Sequence, residues 1–219
     1  MVKVGVVLSG CGFLDGSEIH EATLTLFFLD RAGAKIIQMA PDIKQSDVVD
    51  HLSGEPVAGE TREVLKESAR ISRGEIKKMD EIKTDDLDAL IIPGGFGAAK
   101  NLFDFAFKGL DCTVNPEVER LINEMHKAQK PIGFICIAPV LAAKVLGAAS
   151  PQLTIGNDKD TADAIEKMGG KHIICRVDEI AVDEKNRIVS APAYMLGPTI
   201  SKVASGIEKL VDKVLELAR

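Results

Sequence analysis

Cys136 is the residue whose setting in this sequence most strongly suggests chemistry. It lies in the segment GFICIAP, where a short apolar run ends and alanine, leucine and valine begin to recur at helical spacing. A strand that turns directly into a helix strains the residue at the turn and points its side chain outward at the carboxyl ends of the strands. The N-terminus of the following helix favours a thiolate and lowers a cysteine pKa. Cys136 is therefore a candidate nucleophile; the alternative is an inert core thiol, since free cysteine is commonly buried.

Two other stretches supply partners for such a thiol. In IIPGGFG a predicted strand stops at Pro93, so the backbone amides around Gly94 and Gly95 are candidates for stabilising an oxyanion. In SEIHEATLTLFF, Glu18 and Glu21 lie three residues apart near the start of a predicted helix and project to about the same side. Glu18 is adequately explained as a carboxylate that complements the helix dipole. Glu21 stands among apolar residues, and its expected burial would raise its pKa so that it keeps a proton near neutral pH.

The histidines and the other cysteines give weaker indications of a catalytic or metal site. His20 is a candidate ligand or base beside Glu21, but neighbouring residues on a helix diverge and no H-E-x-x-H pattern is present, so we expect it at the rim or in solvent. His172, the only histidine after Cys136, is a further candidate although it falls within a predicted strand. The four cysteines are widely spaced without a C-x-x-C pair, which indicates neither a zinc site nor a disulfide framework. We expect no metal and no cofactor.

The loop SGCGFLDG, after the first predicted strand, nearly matches a dinucleotide-binding fingerprint. Gly10 and Gly12 are in place, but the third glycine is Gly16, one position too late, and no acidic residue ends the second strand. Nucleotide binding stays a minor alternative.

The elements that must position these residues alternate between strand-like and helix-like segments, which is typical of a mainly parallel sheet covered by helices on both faces. The predicted strands are residues 2–8, 35–40 and 89–92, the run after Pro131, LTIG, KHIICRV and the hairpin EIAVDEKNRIVSAP. The predicted helices run from about Ser17 to Gly33, over VVDHL and TREVLKESARIS, from Asn115 to Gln129, after Cys136, over TADAIEKMGG, and along an apolar face from Ile200 to Leu215.

The composition fits one α/β domain over residues 1–219, with a polar excursion at about 41–82. The 27 basic and 33 acidic residues give no basic footprint for nucleic acid or anionic lipid. No apolar run approaches the roughly 20 residues that cross a bilayer, and the segment MVKVGVVLSG lacks the pattern of a signal peptide. We therefore expect a cytoplasmic protein that acts on a small molecule, with no nucleic-acid or membrane partner.

Three motifs in order, EATLTLFFLDRAG beginning at Glu21, LIIPGGFGAAKNL and GFICIAP, resemble the class I glutamine amidotransferase-like superfamily in its ThiJ/PfpI branch. The stretches SGCGFLDGSEIHEA, HLSGE, ARISRGEI and APAYML are similar to the narrower family of ElbB-type isoprenoid biosynthesis proteins with an amidotransferase-like domain. This narrower resemblance covers essentially the whole chain.

The resemblance implies a flavodoxin-like three-layer sandwich, usually a homodimer. It implies Cys136 as the nucleophile on the strand-to-helix elbow, Glu21 hydrogen-bonded to its sulfur, and amides at Gly95 and Ile137 as the oxyanion site. It also implies a glutathione-independent glyoxalase activity, which converts methylglyoxal or glyoxal to the hydroxy acid, and a link to isoprenoid production.

The sequence departs from the pattern of the superfamily at one catalytic position. Catalytic members of the superfamily place a histidine after the strand that follows the elbow helix, where this sequence reads LTIGND. Glutaminase activity is not expected without it, because amide hydrolysis needs a general acid for the leaving ammonia.

The main hypothesis is that the Cys136 thiolate adds to an aldehyde carbon, Glu21 shuttles a proton between adjacent carbons, and water releases the acid without a redox cofactor. The alternative is a non-catalytic regulatory or redox-sensing protein that retains the cysteine elbow.

Overall fold

A computed structural model of the chain describes residues 1–197 and 199–219. The strands are β1 (Lys3–Val7), β2 (Lys35–Ala40), β3 (Lys77–Lys78), β4 (Ala89–Ile92), β5 (Ile132–Ile135), β6 (Gln152–Leu153), β7 (Lys171–His172), β8 (Ala181–Asp183) and β9 (Ile188–Ala191). Seven of them form one sheet in the order β3-β2-β1-β4-β5-β9-β8, and β6 pairs with β7 in a separate small sheet. All neighbours in the large sheet are parallel except β8 and β9.

Helices cover both faces of the large sheet. They are α1 (Ile19–Arg31), α2 (Val64–Ile71), α3 (Phe105–Lys108), α4 (Pro116–Lys127), α5 (Ala138–Leu146), α6 (Lys159–Lys167) and α7 (Ile200–Leu217). Side chains of α1, α2 and α7 join one apolar core with one face of the sheet, and those of α4, α5 and α6 join a second core on the other face. The protein is a flavodoxin-like three-layer α/β sandwich, as predicted.

Strands β4 and β5 are buried at every position, as expected of central parallel strands covered on both faces. The predicted bounds of β2 and β4 agree with the structure. The predicted hairpin is β8–β9, in which Val182 pairs with Val189. Strand β8, antiparallel to β9, forms one edge of the large sheet.

Two long helices follow their sequence signals closely. The Asn115 side chain caps α4 by accepting hydrogen bonds from the Glu117 and Val118 N–H groups, and Pro116 is the first helical residue. Helix α7 buries the predicted apolar face, except that Ile200 at its first position is exposed.

Helix α1 differs from the prediction at both ends. It begins at Ile19 and ends at Arg31, and its N-cap is Glu18, whose carboxylate accepts the Glu21 N–H at 2.7 Å. Ser17, where the helix was expected to begin, is buried, and its Oγ accepts the Ser9 N–H at 2.8 Å. The serine hydroxyl therefore ties α1 to the end of β1 instead of capping the helix.

The segment VVDHL is not helical, so that prediction was wrong. The Val49 N–H donates to Asp15 Oδ2 at 2.8 Å, and Val49 forms an isolated antiparallel bridge with Pro56. These contacts with other segments override a short local helical pattern. The strands predicted at LTIG and KHIICRV shrink to the two-residue β6 and β7, and the edge strand β3 was not predicted. Over residues 1–197 and 199–219, no helix is both long and apolar enough to cross a membrane.

Candidate active site

Cys136 lies between β5 and α5, on the turn that the sequence predicted. Its φ of 63° is in the left-handed region, which is strained for a residue with a side chain and is typical of functional turns. Its N–H donates to the Ala191 carbonyl at 2.9 Å, which fixes the turn against the end of β9. The residue is only 8% exposed, and its side chain lines a cavity at the carboxyl ends of the strands.

Glu21 is fully buried in the first turn of α1, and two backbone amides hold its carboxyl group. Its Oε2 accepts the Gly94 N–H at 2.9 Å, and its Oε1 accepts the Tyr194 N–H at 3.1 Å. The Cys136 thiol lies close enough to this carboxyl group for each to affect the pKa of the other. The turns after β4, β5 and β9 therefore all converge on this one carboxyl group.

The two glycines after β4 have different roles. A Cβ on Gly94 would lie 2.5 Å from the Cys136 Cβ and 2.8 Å from Glu21 Oε2, so only glycine fits between the two side chains. The Gly94 N–H is occupied by Glu21, which corrects the expectation that this amide contributes to an oxyanion site. The amides that favour the charged form of Cys136 are those of Gly95 and Ile137.

Burial sets the protonation of the pair. Removal from water, with a smaller contribution from the charge of Glu18, raises the pKa of Glu21 to about 8. Burial and then the Glu21 carboxylate raise the pKa of Cys136 well above its ordinary value. The sequence predicted a lowered thiol pKa, and that direction was wrong. The Gly95 and Ile137 amides do favour the thiolate, but desolvation and the nearby carboxylate outweigh them.

The cavity beside Cys136 has a volume of about 460 Å³. Its lining is mainly aromatic and apolar, and its only charged members are two carboxylates. The lining residues are Phe13, Glu18, Gly95, Phe96, Ala99, Phe105, Ala106, Cys136, Ile137, Asp158, Thr161, Tyr194 and Met195.

The other candidates from the sequence lie at different distances from this centre. Glu18 lines the cavity, and burial raises its pKa. His20 lies at the rim with its side chain 53% exposed, and its Nδ1 is 2.8 Å from the Tyr194 hydroxyl. His172 is not brought to the site: it lies on β7, and its Nε2 accepts the Ile155 N–H at 3.4 Å.

Sequence reasoning missed two residues of the site. Tyr194, the single tyrosine of the chain, holds Glu21 through its N–H and lines the cavity. It follows β9, and its place after a strand that neighbours β5 is the signal that could have identified it. Asp158 stands where the superfamily histidine was expected, and its carboxylate caps α6 by accepting the Thr161 N–H at 2.9 Å.

The loop SGCGFLDG uses its amides internally. The Ser9 N–H donates to Ser17 Oγ, the Gly10 N–H to Ser68 Oγ and the Gly12 N–H to the Ser17 carbonyl. These groups are therefore not directed at a phosphate, which removes the support for nucleotide binding. In the described part of the chain, no cluster of three or more His, Cys, Asp and Glu side chains could hold a metal ion.

Comparisons with known proteins show the family to which this chain belongs. Residues 11–195 match the DJ-1/PfpI family. The chain is 49% identical to the human glutamine amidotransferase-like class 1 domain-containing protein 3, mitochondrial, over 224 residues that cover 98% of this chain and 83% of that protein. It is 37% identical to the zebrafish (Danio rerio) ES1 protein, mitochondrial, over 88% of this chain and 77% of that one.

A solved structure resembles the whole chain. It is an isoprenoid biosynthesis protein with an amidotransferase-like domain from Ehrlichia chaffeensis, 37% identical, with a TM-score of 0.93 and complete coverage of both chains.

The expected cytoplasmic location was wrong. The relatives from human, rat and zebrafish are all named as mitochondrial proteins, and this finding overturns the prediction. The features on which it rested included the lack of a signal-peptide pattern in MVKVGVVLSG, of a run long enough to cross a bilayer and of a disulfide framework, and these do not distinguish between the two compartments.

The matched residues include the elbow cysteine, the Pro-Gly-Gly turn and Glu21, and the match spans most of the chain. The chain therefore belongs to the DJ-1/PfpI family.

Proposed function

We propose that this protein is a cofactor-independent glyoxalase that converts small 2-oxoaldehydes, such as methylglyoxal and glyoxal, to 2-hydroxy acids without glutathione. The observation that carries the proposal is a thiol in the wall of a cavity, beside the lining residues Gly95 and Ile137, with the fully buried carboxyl group of Glu21, whose pKa is about 8, next to it. A nucleophile, a proton carrier matched to neutral pH and an oxyanion site are the groups that this isomerisation requires.

The reaction begins from a Cys136–Glu21 pair that holds one proton. Sulfur adds to the aldehyde carbon while the shared proton passes to the aldehyde oxygen, which gives a hemithioacetal and leaves Glu21 as a carboxylate. The amides of Gly95 and Ile137, which favour a charged Cys136 sulfur, would donate to the oxygen that gains negative charge.

Glu21 then moves a proton between neighbouring carbons. Its carboxylate removes the hydrogen of the former aldehyde carbon, and the resulting enediolate takes that proton back on the adjacent carbon. The hydroxyl proton of the first carbon passes to the second oxygen, which yields a 2-hydroxyacyl thioester on Cys136. The substrate is reduced at one carbon and oxidised at the other, so no external electron acceptor is consumed.

Water completes the cycle. Glu21, again a carboxylate, accepts a proton from the attacking water, the hydroxy acid leaves, and the sulfur departs as a thiolate beside the protonated Glu21. The starting state with one shared proton is restored, and the net change is the addition of one water to the 2-oxoaldehyde.

Amide hydrolysis is less well supported by the same site. Among the residues that line the cavity, none is a histidine that could protonate leaving ammonia. The lining also offers no lysine or arginine for the carboxylate of a glutamine substrate. The name of the Ehrlichia protein supports a link to isoprenoid biosynthesis, which we propose without assigning a step.

The rival proposal is a non-catalytic redox sensor. A sensor cysteine is exposed and has a low pKa, whereas Cys136 is buried and its pKa is raised. Titration with peroxide followed by peptide mass mapping separates the two: under our proposal Cys136 is not the most readily oxidised thiol, and selective oxidation of Cys136 at the lowest doses would favour the sensor.

The test of the activity is to incubate purified protein with methylglyoxal and to follow both its loss and the appearance of lactate. We expect wild type to form lactate and Cys136→Ala to form none. Cys11→Ser is the matched control, because Cys11 lies outside the cavity lining, and it should retain the activity. Equal lactate formation by wild type and Cys136→Ala would refute the proposal.

A further inference from the structure

The cavity is much larger than the smallest substrates need. Its volume of about 460 Å³ falls within the range of roughly 300–1,000 Å³ that is typical of sites for drug-sized ligands. Methylglyoxal has five non-hydrogen atoms and would occupy only the part next to the Cys136 sulfur. The remainder of the cavity is therefore available to a larger substituent on the reacting carbonyl group.

The walls away from Cys136 are suited to a flat apolar group. Phe13, Phe96, Phe105 and Met195 all line the cavity. The Phe13 and Phe96 residues are 47% and 51% exposed, so much of each ring has no protein against it. The Phe96 N–H donates to the Phe13 carbonyl at 2.7 Å, which holds the two loops that carry these rings together. Aromatic walls stack favourably on planar rings and on cations.

The charges of the cavity have one sign. Among the described residues that line it, Glu18 and Asp158 are the charged ones, and none is a lysine or an arginine. Hydrogen bonds to Thr161 keep the pKa of Asp158 below its usual value, so this carboxylate is ionised at neutral pH. Lys100 lies 5.9 Å from the Phe96 ring centre, but its ammonium group is paired with Asp47 at 2.7 Å. An anionic substituent would therefore meet repulsion without a compensating cation.

We propose that this cavity selects 2-oxoaldehydes whose carbonyl carries an uncharged or cationic group of aryl size, and that it rejects those whose substituent carries a carboxylate. The inference rests on the proposed glyoxalase function and deepens it. The chemistry is the same: an arylglyoxal and one water give the corresponding aryl 2-hydroxy acid, with both redox changes inside the substrate.

The test compares matched substrates with the full-length protein. We expect kcat/KM for phenylglyoxal to exceed that for methylglyoxal by about tenfold or more, after each is corrected for its intrinsic rate with a small free thiol. The 4-carboxy derivative should fall about tenfold or more below phenylglyoxal, whereas the 4-trimethylammonio derivative should not. A preference for methylglyoxal, or equal rates for the carboxy and parent compounds, would overturn the inference.

A substitution at Asp158 tests the origin of the charge selectivity. Asn is also a good helix cap, so Asp158→Asn removes the charge while a side-chain oxygen remains for the Thr161 N–H. We expect Asp158→Asn to reduce severalfold the ratio of kcat/KM for phenylglyoxal to kcat/KM for its 4-carboxy derivative. Asp163→Asn, at an exposed position of the same helix outside the cavity lining, is the matched control and should leave that ratio unchanged. Equal effects of the two variants would contradict the assignment.

A second readout separates this inference from the glyoxalase proposal. The rate at which Cys136 is alkylated by iodoacetamide, iodoacetate and phenacyl bromide can be followed by peptide mass mapping without any turnover. Relative to a free thiol, we expect labelling to be slowed by the carboxylate of iodoacetate and favoured by the phenacyl ring. Selective labelling without turnover of any glyoxal would refute the glyoxalase and leave the selectivity standing. Unselective labelling would refute the selectivity whatever the turnover.

Discussion

At the scale of single residues, the Cys136–Glu21 pair is governed by its removal from water. Burial raises the pKa of both groups, and the Glu21 carboxylate raises that of Cys136 further, whereas the interaction with Cys136 lowers that of Glu21. After the pair has lost one of its two protons, the remaining proton can be on the Glu21 oxygen or on the Cys136 sulfur. A pH profile of the rate gives the pH at which the first proton leaves, and it does not show which atom holds the remaining proton.

The first prediction is that kcat/KM for methylglyoxal rises with pH through a midpoint of about 8. The reason is that the reactive form of the pair appears when its first proton leaves, and Glu21 has a pKa of about 8. Initial rates of lactate formation at constant ionic strength provide the measurement. A profile that is flat from about pH 6 to 9 would show that no carboxyl group with a raised pKa takes part.

The second prediction concerns stability. Glu21 ionises at a pKa of about 4.3 in the unfolded chain and about 8 in the folded protein, so between these values only the folded state keeps the proton. Stability contributed by this group therefore falls as pH rises through that window. Relative to Glu21→Gln, wild type should lose on the order of 3 kcal/mol in free energy of unfolding between about pH 5 and 8.

Urea unfolding of both proteins across this pH range measures the difference. Glu119→Gln, at an exposed position of α4, is the matched control and should follow the wild-type curve. A constant difference between wild type and Glu21→Gln at all pH values would show that the Glu21 proton is not retained on folding.

The proximity of Cys136 and Glu21 could be predicted from the sequence, but their protonation could not. Cys136 and Glu21 stand within motifs whose local pattern is distinctive. The direction of the Cys136 pKa depends on how much water the folded chain removes, and the sequence showed only the opposing effect of the helix N-terminus. Asp158 and Tyr194 were not predicted as site residues, because the order of the strands brings each of them to the cavity and their neighbours in sequence form no distinctive motif.

At the scale of elements, the turn after β4 is the most constrained connection of the site. We predict that Gly94→Ala impairs both stability and activity, because its Cβ would displace the Cys136 Cβ and the Glu21 carboxylate. The cost of such overpacking is about 1–3 kcal/mol. Thermal unfolding and kcat/KM per folded molecule are the measurements.

Gly133→Ala, in the neighbouring strand β5, is the matched control for this prediction. Its Cβ would meet the ends of flexible side chains, such as Leu210 Cδ2 at 2.9 Å, away from the site. It should lower stability by a similar amount and leave the activity of the folded protein unchanged. Full activity in Gly94→Ala would show that the pair tolerates displacement.

Elements were predicted well where a local signal agreed with the global packing. The runs at 35–40 and 89–92 are apolar and bounded by turn residues, and both became strands with the expected limits. VVDHL has a helical pattern that is overridden by the Asp15 carboxylate, which lies far away in sequence. The predicted start of α1 was wrong because the side chains of Ser17 and Glu18 can both accept a hydrogen bond from the helix N-terminus. Only the folded protein shows that Ser17 Oγ accepts the Ser9 N–H and that Glu18 caps the helix.

At the scale of the whole molecule, the site lies where the order of the strands reverses. The chain proceeds outward from β1 to β2 and β3, and then returns to β4 and continues to β5 and β9 on the other side. The loops after β1 and β4 meet there, where the Gly97 N–H donates to the Gly16 carbonyl at 2.9 Å. Open parallel sheets bind ligands at such switch points, and the Cys136 cavity lies at the corresponding end of this sheet.

The assembly of the molecule is a further prediction. The family resemblance implies a homodimer, and we expect light scattering to give twice the mass of one chain at micromolar concentration. A monomer over the whole accessible concentration range would contradict this expectation.

The central claim is that Cys136 carries the substrate as a covalent adduct during turnover. The most direct measurement is intact mass spectrometry of the protein quenched in acid while it turns over methylglyoxal, followed by peptide mapping. We predict an added mass equal to one substrate molecule, located on Cys136 and absent from Cys136→Ala. Lactate formation at the full rate with Cys136 unlabelled would contradict the claim.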